Sequence, residues 1–171
     1  KMKLHFVERI PTQGGSIRLI DKKKTKSSQW RRIYRDERLK KVDKISTYKK
    51  TGKLIEKIIF NINKDFKKLT SKNKAVLLGA PARGVVISHV CNIDNRKIEF
   101  AIDDSETKHN TFFPGKKIKV YNWDKLKKSK CGNFLALSWN YKDDLLKKLK
   151  KYRNKFNFMT PFPKSKISKF F

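Results

Sequence analysis

The sequence predicts an α/β protein: an open, mostly parallel sheet flanked by helices, preceded by a helical connector and an N-terminal β-hairpin. Three observations carry this reading. From Lys74 onward, short apolar runs closed by small or polar residues alternate with stretches of helical periodicity, the rhythm that parallel strands demand because each needs a crossover connection. Between Ile45 and Leu69 the residues Leu54, Ile55, Ile58, Ile59, Ile62, Phe66 and Leu69 form one apolar stripe at helical spacing. The first twenty residues read as two short strands around a turn that holds Pro11, Gly14 and Gly15.

The elements follow in order. Strands are expected at Leu4 to Glu8 and Ser16 to Ile20; two strands alone bury no face, so this hairpin needs a further sheet to join. A basic linker leads to a helix through Trp30, Ile33, Tyr34 and Leu39, with Ser27 or Ser28 as its cap, and then to the long striped helix. Five strands are expected near Ala75 to Gly79, Ile98 to Asp103, Lys117 to Tyr121, Phe134 to Ser138 and Asn157 to Thr160, with helices at Ala82 to Asn92 and Lys142 to Phe156. In the last helix Asn140 is the expected cap, and Asp143 and Asp144 sit where the positive end of the helix dipole favours carboxylates. Leu145, Leu146, Leu149, Tyr152 and Phe156 would form its buried side. The division that results is 1–21 hairpin, 22–73 linker and connector, 74–171 sheet domain.

Composition bounds the partners. The formal charge is +30, but it comes from 36 lysines against 9 arginines spread along the whole chain. Reading of bases and phosphates leans on the two-pronged geometry of arginine, so nucleic acid is not expected as the partner. No run of 18 or more apolar residues occurs, so no membrane span is expected, and a cytoplasmic location is. Cys91 and Cys131 are expected as reduced thiols, and they and the scattered His5, His89 and His109 suggest no metal site.

The stretch "GAPARG" is the most informative turn. Gly79 closes a strand, Gly84 lies at the start of a helix, and Arg83 brings a fixed positive charge. Helix amides at such a corner favour a phosphate. The spacing is not that of the dinucleotide fingerprint, because Pro81 and Ala82 occupy its middle. Asp103, 24 residues after Gly79, is placed like the acidic residue that holds a ribose in dinucleotide folds; a strand-to-helix corner with a polar strand end explains the same residues equally well.

Several stretches in sequence order, "FVERIPTQGGSIR", "LLGAPARG", "IEFAIDDSETKHNTFFPGKKIKV", "LALSWNYKDDLLKKL" and "PFP", resemble the C-terminal half of the S-adenosylmethionine-dependent sugar C-methyltransferases. The resemblance covers nearly the whole chain. It implies a Rossmann-like domain, a nucleotide-linked keto-deoxysugar as substrate, and a zinc module and methyltransferase domain that lie upstream in that family. It also implies that S-adenosylmethionine serves the complete enzyme and is not bound by these residues alone, since the family's cofactor loop and its Glu-His pair have no counterpart here.

By that resemblance Gly79, Ala80, Pro81, Ala82, Arg83 and Gly84 face the substrate cleft, with Arg83 where the family usually has lysine. Asp103, Lys108, Trp139 and Asn140 align with further substrate-binding positions. Thr12, Gln13, Gly14, Gly15 and Ser16 match a loop that borders the active site, although the family commonly has histidine where Gln13 stands. The catalytic residues are unknown from this sequence. The expected role is to hold the substrate for a methyltransferase half supplied in cis or in trans. The rivals are a stand-alone subunit of a methyltransferase and a non-catalytic polyanion-binding module that uses the lysines at 31–69.

Overall fold

The computed structural model describes residues 3–12, 15–22 and 29–171. It divides into two compact units, Lys1–Leu54 and Ile55–Phe171. In the first, strand β1 (Lys3–Ile10) pairs antiparallel with β2 (Ser16–Lys22), and helix α1 (Gln29–Leu39) packs on β1. Arg9 pairs with Asp36 at 3.7 Å, and Arg18 with Glu8 at 2.8 Å. The expected caps Ser27 and Ser28, like Gln13 and Gly14, lie outside the described residues.

Helix α2 (Ile45–Leu69) runs across the division. Its stripe has two fates. Ile62, Phe66 and Leu69 are buried and Ile58 and Ile59 pack beside them, whereas Leu54 and Ile55 are at least half exposed.

The second unit holds a six-stranded sheet in the order β5-β4-β3-β6-β7-β8, built from β3 (Ala75–Leu78), β4 (Ile98–Ile102), β5 (Val120–Tyr121), β6 (Asn133–Ala136), β7 (Phe156–Thr160) and β8 (Lys166–Phe170). All pairings are parallel except β7 with β8. β3 is an uninterrupted apolar run, and β4 and β6 depart from one only at Glu99 and Asn133, because both faces of the central strands are covered. Successive side chains go to opposite faces, so Leu77, Leu135 and Met159 meet α2 and helix α3 (Ala82–Val90) on one side. Val76, Leu78, Phe134, Ala136 and Phe158 meet helix α4 (Lys142–Lys150) on the other. Cys91 and Cys131 are free and buried, and burial pushes both thiols above their usual range.

Three expectations change in detail. The last helix stops at Lys150 instead of Phe156, because Arg153 turns back to donate to the carbonyls of Leu126 and Cys131 and Phe156 enters β7, its ring against Phe134 and Phe170. Tyr152 and Phe156 stand four apart and imitate a helical stripe, yet tertiary packing claims the second ring for the sheet. The N-cap of α4 is Tyr141, without a side-chain cap bond, and Asn140 lies in a 3-10 turn at Trp139–Tyr141. The strand expected at Lys117 to Tyr121 shortens to Val120–Tyr121.

Strand β8 lies beyond the five strands expected for the sheet. Lys166 and Lys169, both exposed, suit an edge strand that must not recruit another chain.

Two glycines set the central geometry. Gly79 has φ +90°, and a Cβ there would overlap the Ser138 side chain, whose own Cβ would lie at 2.8 Å. A Cβ on Gly84 would sit 2.9 Å from the Leu137 Cβ, so this glycine lets α3 approach the end of β6. We predict that Gly79→Ala destabilises the protein by roughly 2 kcal/mol or more, from the left-handed backbone plus the overlap. Adding Ser138→Gly should recover only the overlap part, as urea midpoints of the single and double variants would read. A Gly79→Ala midpoint equal to wild type would contradict this packing.

Candidate functional site

The strand order reverses between β3 and β6. The chain runs outward from β3 through β4 to β5, then returns to the other side of β3. Where two neighbouring strands send their connections to opposite faces, a crevice opens beyond their C-terminal ends. Here α3 leaves β3 toward one face and α4 follows β6 on the other. A cleft of about 530 Å³ lies at this point, with Gly79 and Pro81 from the β3 exit, Asp103 and Asp104 from the β4 exit, and Ser138 from the β6 exit.

Asp103 ties the exits together. Its Oδ2 accepts from the Ala80 amide at 2.6 Å and from Lys108 Nζ at 3.1 Å, and its Oδ1 accepts from the Ser105 amide at 3.0 Å. Lys108 also donates to the Ala80 carbonyl at 3.2 Å, and a His109 ring nitrogen lies 2.8 Å from the Asp103 carbonyl oxygen. Only 11% of the Asp103 side chain remains exposed. A carboxylate this enclosed is retained because each oxygen is met by donors.

A second clasp forms one wall. Asp104 Oδ1 accepts from Trp123 Nε1 at 2.8 Å and from Lys148 Nζ at 2.7 Å. Burial alone pushes the Asp104 carboxyl up, but the hydrogen bonds from Lys148 and Trp123, with the charges of Lys148 and His109, outweigh it and bring it below the usual carboxylate value. The Trp123 ring stacks on Tyr152 at 5.9 Å, and Lys148 Nζ lies 5.8 Å from its centroid. The clasp fastens the 3-10 turn at Trp123–Lys128 and helix α4 to the loop after β4.

The residues singled out in the sequence part company here. Gly79, Pro81, Asp103 and Lys108 line the cleft, while Ala80 and Ala82 line a mainly apolar recess of about 220 Å³ beside it, shared by Lys108, Val85, Phe112 and Pro114. Gly84 is buried against Leu137. Arg83 lies over the Trp139 ring at 5.3 Å, and that ring is tilted against Phe162 at 5.1 Å. Trp139 and Asn140 border a small dimple with Pro81 and Arg83 and do not line the cleft. Thr12, Gly15 and Ser16 form the hairpin turn of the first unit, where the Gly15 amide and the Ser16 hydroxyl each donate to the Thr12 carbonyl at 3.0 Å. Gln13 and Gly14 are outside the described residues.

Sequence reasoning missed Asp104, Trp123, Tyr141, Asp144, Lys147 and Lys148, all of which line the cleft. Tyr141, Asp144 and Lys148 recur at helical spacing, a signal that was present; Trp123 arrives from a distant turn and gave none. Among the described residues no group of three or more His, Cys, Asp or Glu gathers to hold a metal.

A family model described as C-methyltransferase C-terminal domain matches residues 11–163. The chain belongs to that family. No curated protein sequence matches it. The matched span holds every residue of the cleft, while β1 and β8 fall wholly outside it. Among the described residues of this C-methyltransferase C-terminal domain, no helix is long and apolar enough to cross a membrane.

A methyltransferase relationship raises the fit of S-adenosylmethionine to this corner, and the fit is poor. Pro81 has no amide hydrogen, the Ala80 amide is taken by Asp103, and the Asp103 oxygens that would receive ribose hydroxyls already hold Ala80, Ser105 and Lys108.

The Asp104 clasp yields a test with a fixed sign. A carboxyl lowered in the folded state contributes stability that is fully present above its unfolded value, about 3.9, and is lost as pH falls through the folded value. Asp104→Asn should therefore be modestly less stable than wild type at neutral pH, with the gap closing below about pH 4. A gap that persists unchanged to pH 2 in paired urea titrations would refute the clasp.

Proposed function

We propose that this C-methyltransferase C-terminal domain holds a nucleotide-linked keto-deoxysugar in the cleft between the β3 and β6 exits, for methylation by a methyltransferase part acting with it in cis or in trans. The observation that carries the reading is the position of the cleft: it lies where the strand order reverses, the place at which sheets of this kind receive ligands. The family match supplies the methyl-transfer context. Residues 74–171 form the substrate-holding domain in this reading, and Gly79, Pro81, Asp103 and Lys108 border the ligand. Trp139, Asn140 and Arg83 act behind the corner, and Thr12 to Ser16 border the active site of the assembled enzyme.

Local charge supports a small polar ligand over a polyanion. The chain carries +30, yet the cleft gathers three carboxylates (Asp103, Asp104, Asp144) and three lysines (Lys108, Lys147, Lys148). A groove for a nucleic-acid backbone needs cations in excess; a balanced set suits hydroxyls and a single diphosphate. The surrounding lysines still raise the local concentration of an anionic substrate. S-adenosylmethionine supplies the methyl group and belongs to the partner methyltransferase part in this reading, in keeping with the poor fit of the Gly79 corner. The contribution of this chain is to bind and orient, and orientation alone can account for several orders of magnitude in such a transfer.

Calorimetry should detect saturable binding of a dTDP- or GDP-linked sugar to the 171-residue protein, weakened several-fold by Lys108→Met. The same protein given S-adenosylmethionine and the sugar should form no methylated product. Tight, salt-sensitive retention of RNA or heparin with indifference to nucleotide sugars would replace this reading with the polyanion-binding one.

A further inference from the structure

The cleft has one wall made almost wholly by a single helix and the residue that caps it. Tyr141, Asp144, Lys147 and Lys148 line it in that order along α4, above the buried Leu145. Two aromatic rings border the same space, and they differ in what is left of them. Trp123 has Tyr152 stacked on it and Lys148 Nζ 5.8 Å from its centroid, and its indole nitrogen donates to Asp104. Tyr141 is 60% exposed. Among the described residues its ring has no aromatic or cationic neighbour and its hydroxyl no hydrogen bond, and although it occupies the N-cap of α4 its side chain caps nothing. An exposed aromatic ring in a cleft, excused from packing, is suited to receive a flat ligand group.

The groups beyond it have the same character. Asp144 and Lys147 are exposed and form no ion pair among the described residues. Helical rise places Lys147 about 9 Å beyond Tyr141 along the axis, with Asp144 halfway. A ring, then a carboxylate, then an ammonium group is the chemical complement of a base, then sugar hydroxyls, then a diphosphate.

From this juxtaposition we infer that the exposed face of α4, from its N-cap to its last turn, reads the nucleotide part of the ligand: Tyr141 stacks on the base, Asp144 accepts from the ribose hydroxyls, and Lys147 meets the diphosphate. The inference rests on the ligand class proposed above and adds to it the orientation, with the base at the Tyr141 end. It leaves the linked sugar beyond the diphosphate, at the far side of Lys147.

The test is binding of dTDP and of GDP, taking the tighter, alongside inorganic diphosphate, to wild type and to Tyr141→Ala, Tyr141→Phe, Asp144→Asn and Lys147→Ala. All three side chains are exposed, and equal urea midpoints confirm that each of the four variants is folded. Loss of a stacked base corresponds to a five-fold or greater weakening. Tyr141→Ala should weaken the nucleotide by at least that factor and leave inorganic diphosphate unchanged, Tyr141→Phe should bind as wild type, and Lys147→Ala should weaken both ligands. Asp144→Asn should weaken the nucleotide but not its dideoxyribose analogue. If Lys147→Ala weakens the nucleotide while Tyr141→Ala does not, the orientation is wrong and the cleft remains the nucleotide site. If wild type binds neither nucleotide nor nucleotide sugar, the ligand class itself is overturned and the orientation with it.

Discussion

The two central strands leave the sheet side by side, β3 at Gly79 and β6 just before Ser138, and no side chain on Gly79 could fit between them. That close approach governs what surrounds it. Had the corner carried a Cβ, β3 and β6 would be forced apart at their ends and the register Leu78 with Ala136 would open. Because they stay close, α3 and α4 are released to opposite faces with the crevice between them. The second close approach, Gly84 against Leu137, then holds α3 down on the sheet. The glycines of "GAPARG" act first as spacers, and any role toward a ligand is built on that spacing.

Electrostatics divides the molecule differently from its composition. A chain at +30 pays a self-repulsion cost, and the Asp103–Lys108 and Asp104–Lys148 pairs place two of its 15 acidic residues beside lysines at the cleft. Neither pair is a large source of stability: the lysines are 41% and 43% exposed, and such pairs contribute little. Their effect is positional. Asp103 joins the β3 exit to the β4 exit, and Asp104 joins the β4 exit to α4, so three separate connections form one wall system. That leaves Tyr141, Asp144 and Lys147 exposed in the middle of it, with no ion pair or ring contact among the described residues.

Helix α2 shows how one stripe can serve two environments. Ile62, Phe66 and Leu69 close one face of the sheet, while the same helical face continues through Ile55, Tyr48 and Ile45, which stand 50%, 61% and 71% exposed. Ile17 and Leu19 of the hairpin are likewise open, at 49% and 62%. Single exposed apolar residues call for no explanation.

The parallel sheet and the long helix were legible in the sequence because each rests on local pattern: "AVLL", "IEFAI" and "NFLA" are mainly apolar and do not alternate with polar residues, since both faces are covered, and the α2 stripe repeats every three to four residues. The corner was legible too, since glycine at a strand exit has few alternatives. What the sequence could not decide were matters of long-range competition. Phe156 suits a helical stripe and a strand equally, and only its packing on Phe134 and Phe170 assigns it. Asp103 looked free to hold a ribose until the fold brought Ala80 and Lys108 to it across 23 and 5 residues. Trp139 looked like the aromatic of the site, but Arg83 and Phe162 cover it, and the ring left open is Tyr141, two residues on. The sequence by itself determined where the central strands and the long helix form, because these depend on local apolar pattern. Which polar and aromatic groups remain available to a ligand was decided by the tertiary structure alone, because availability depends on what every other segment has already occupied.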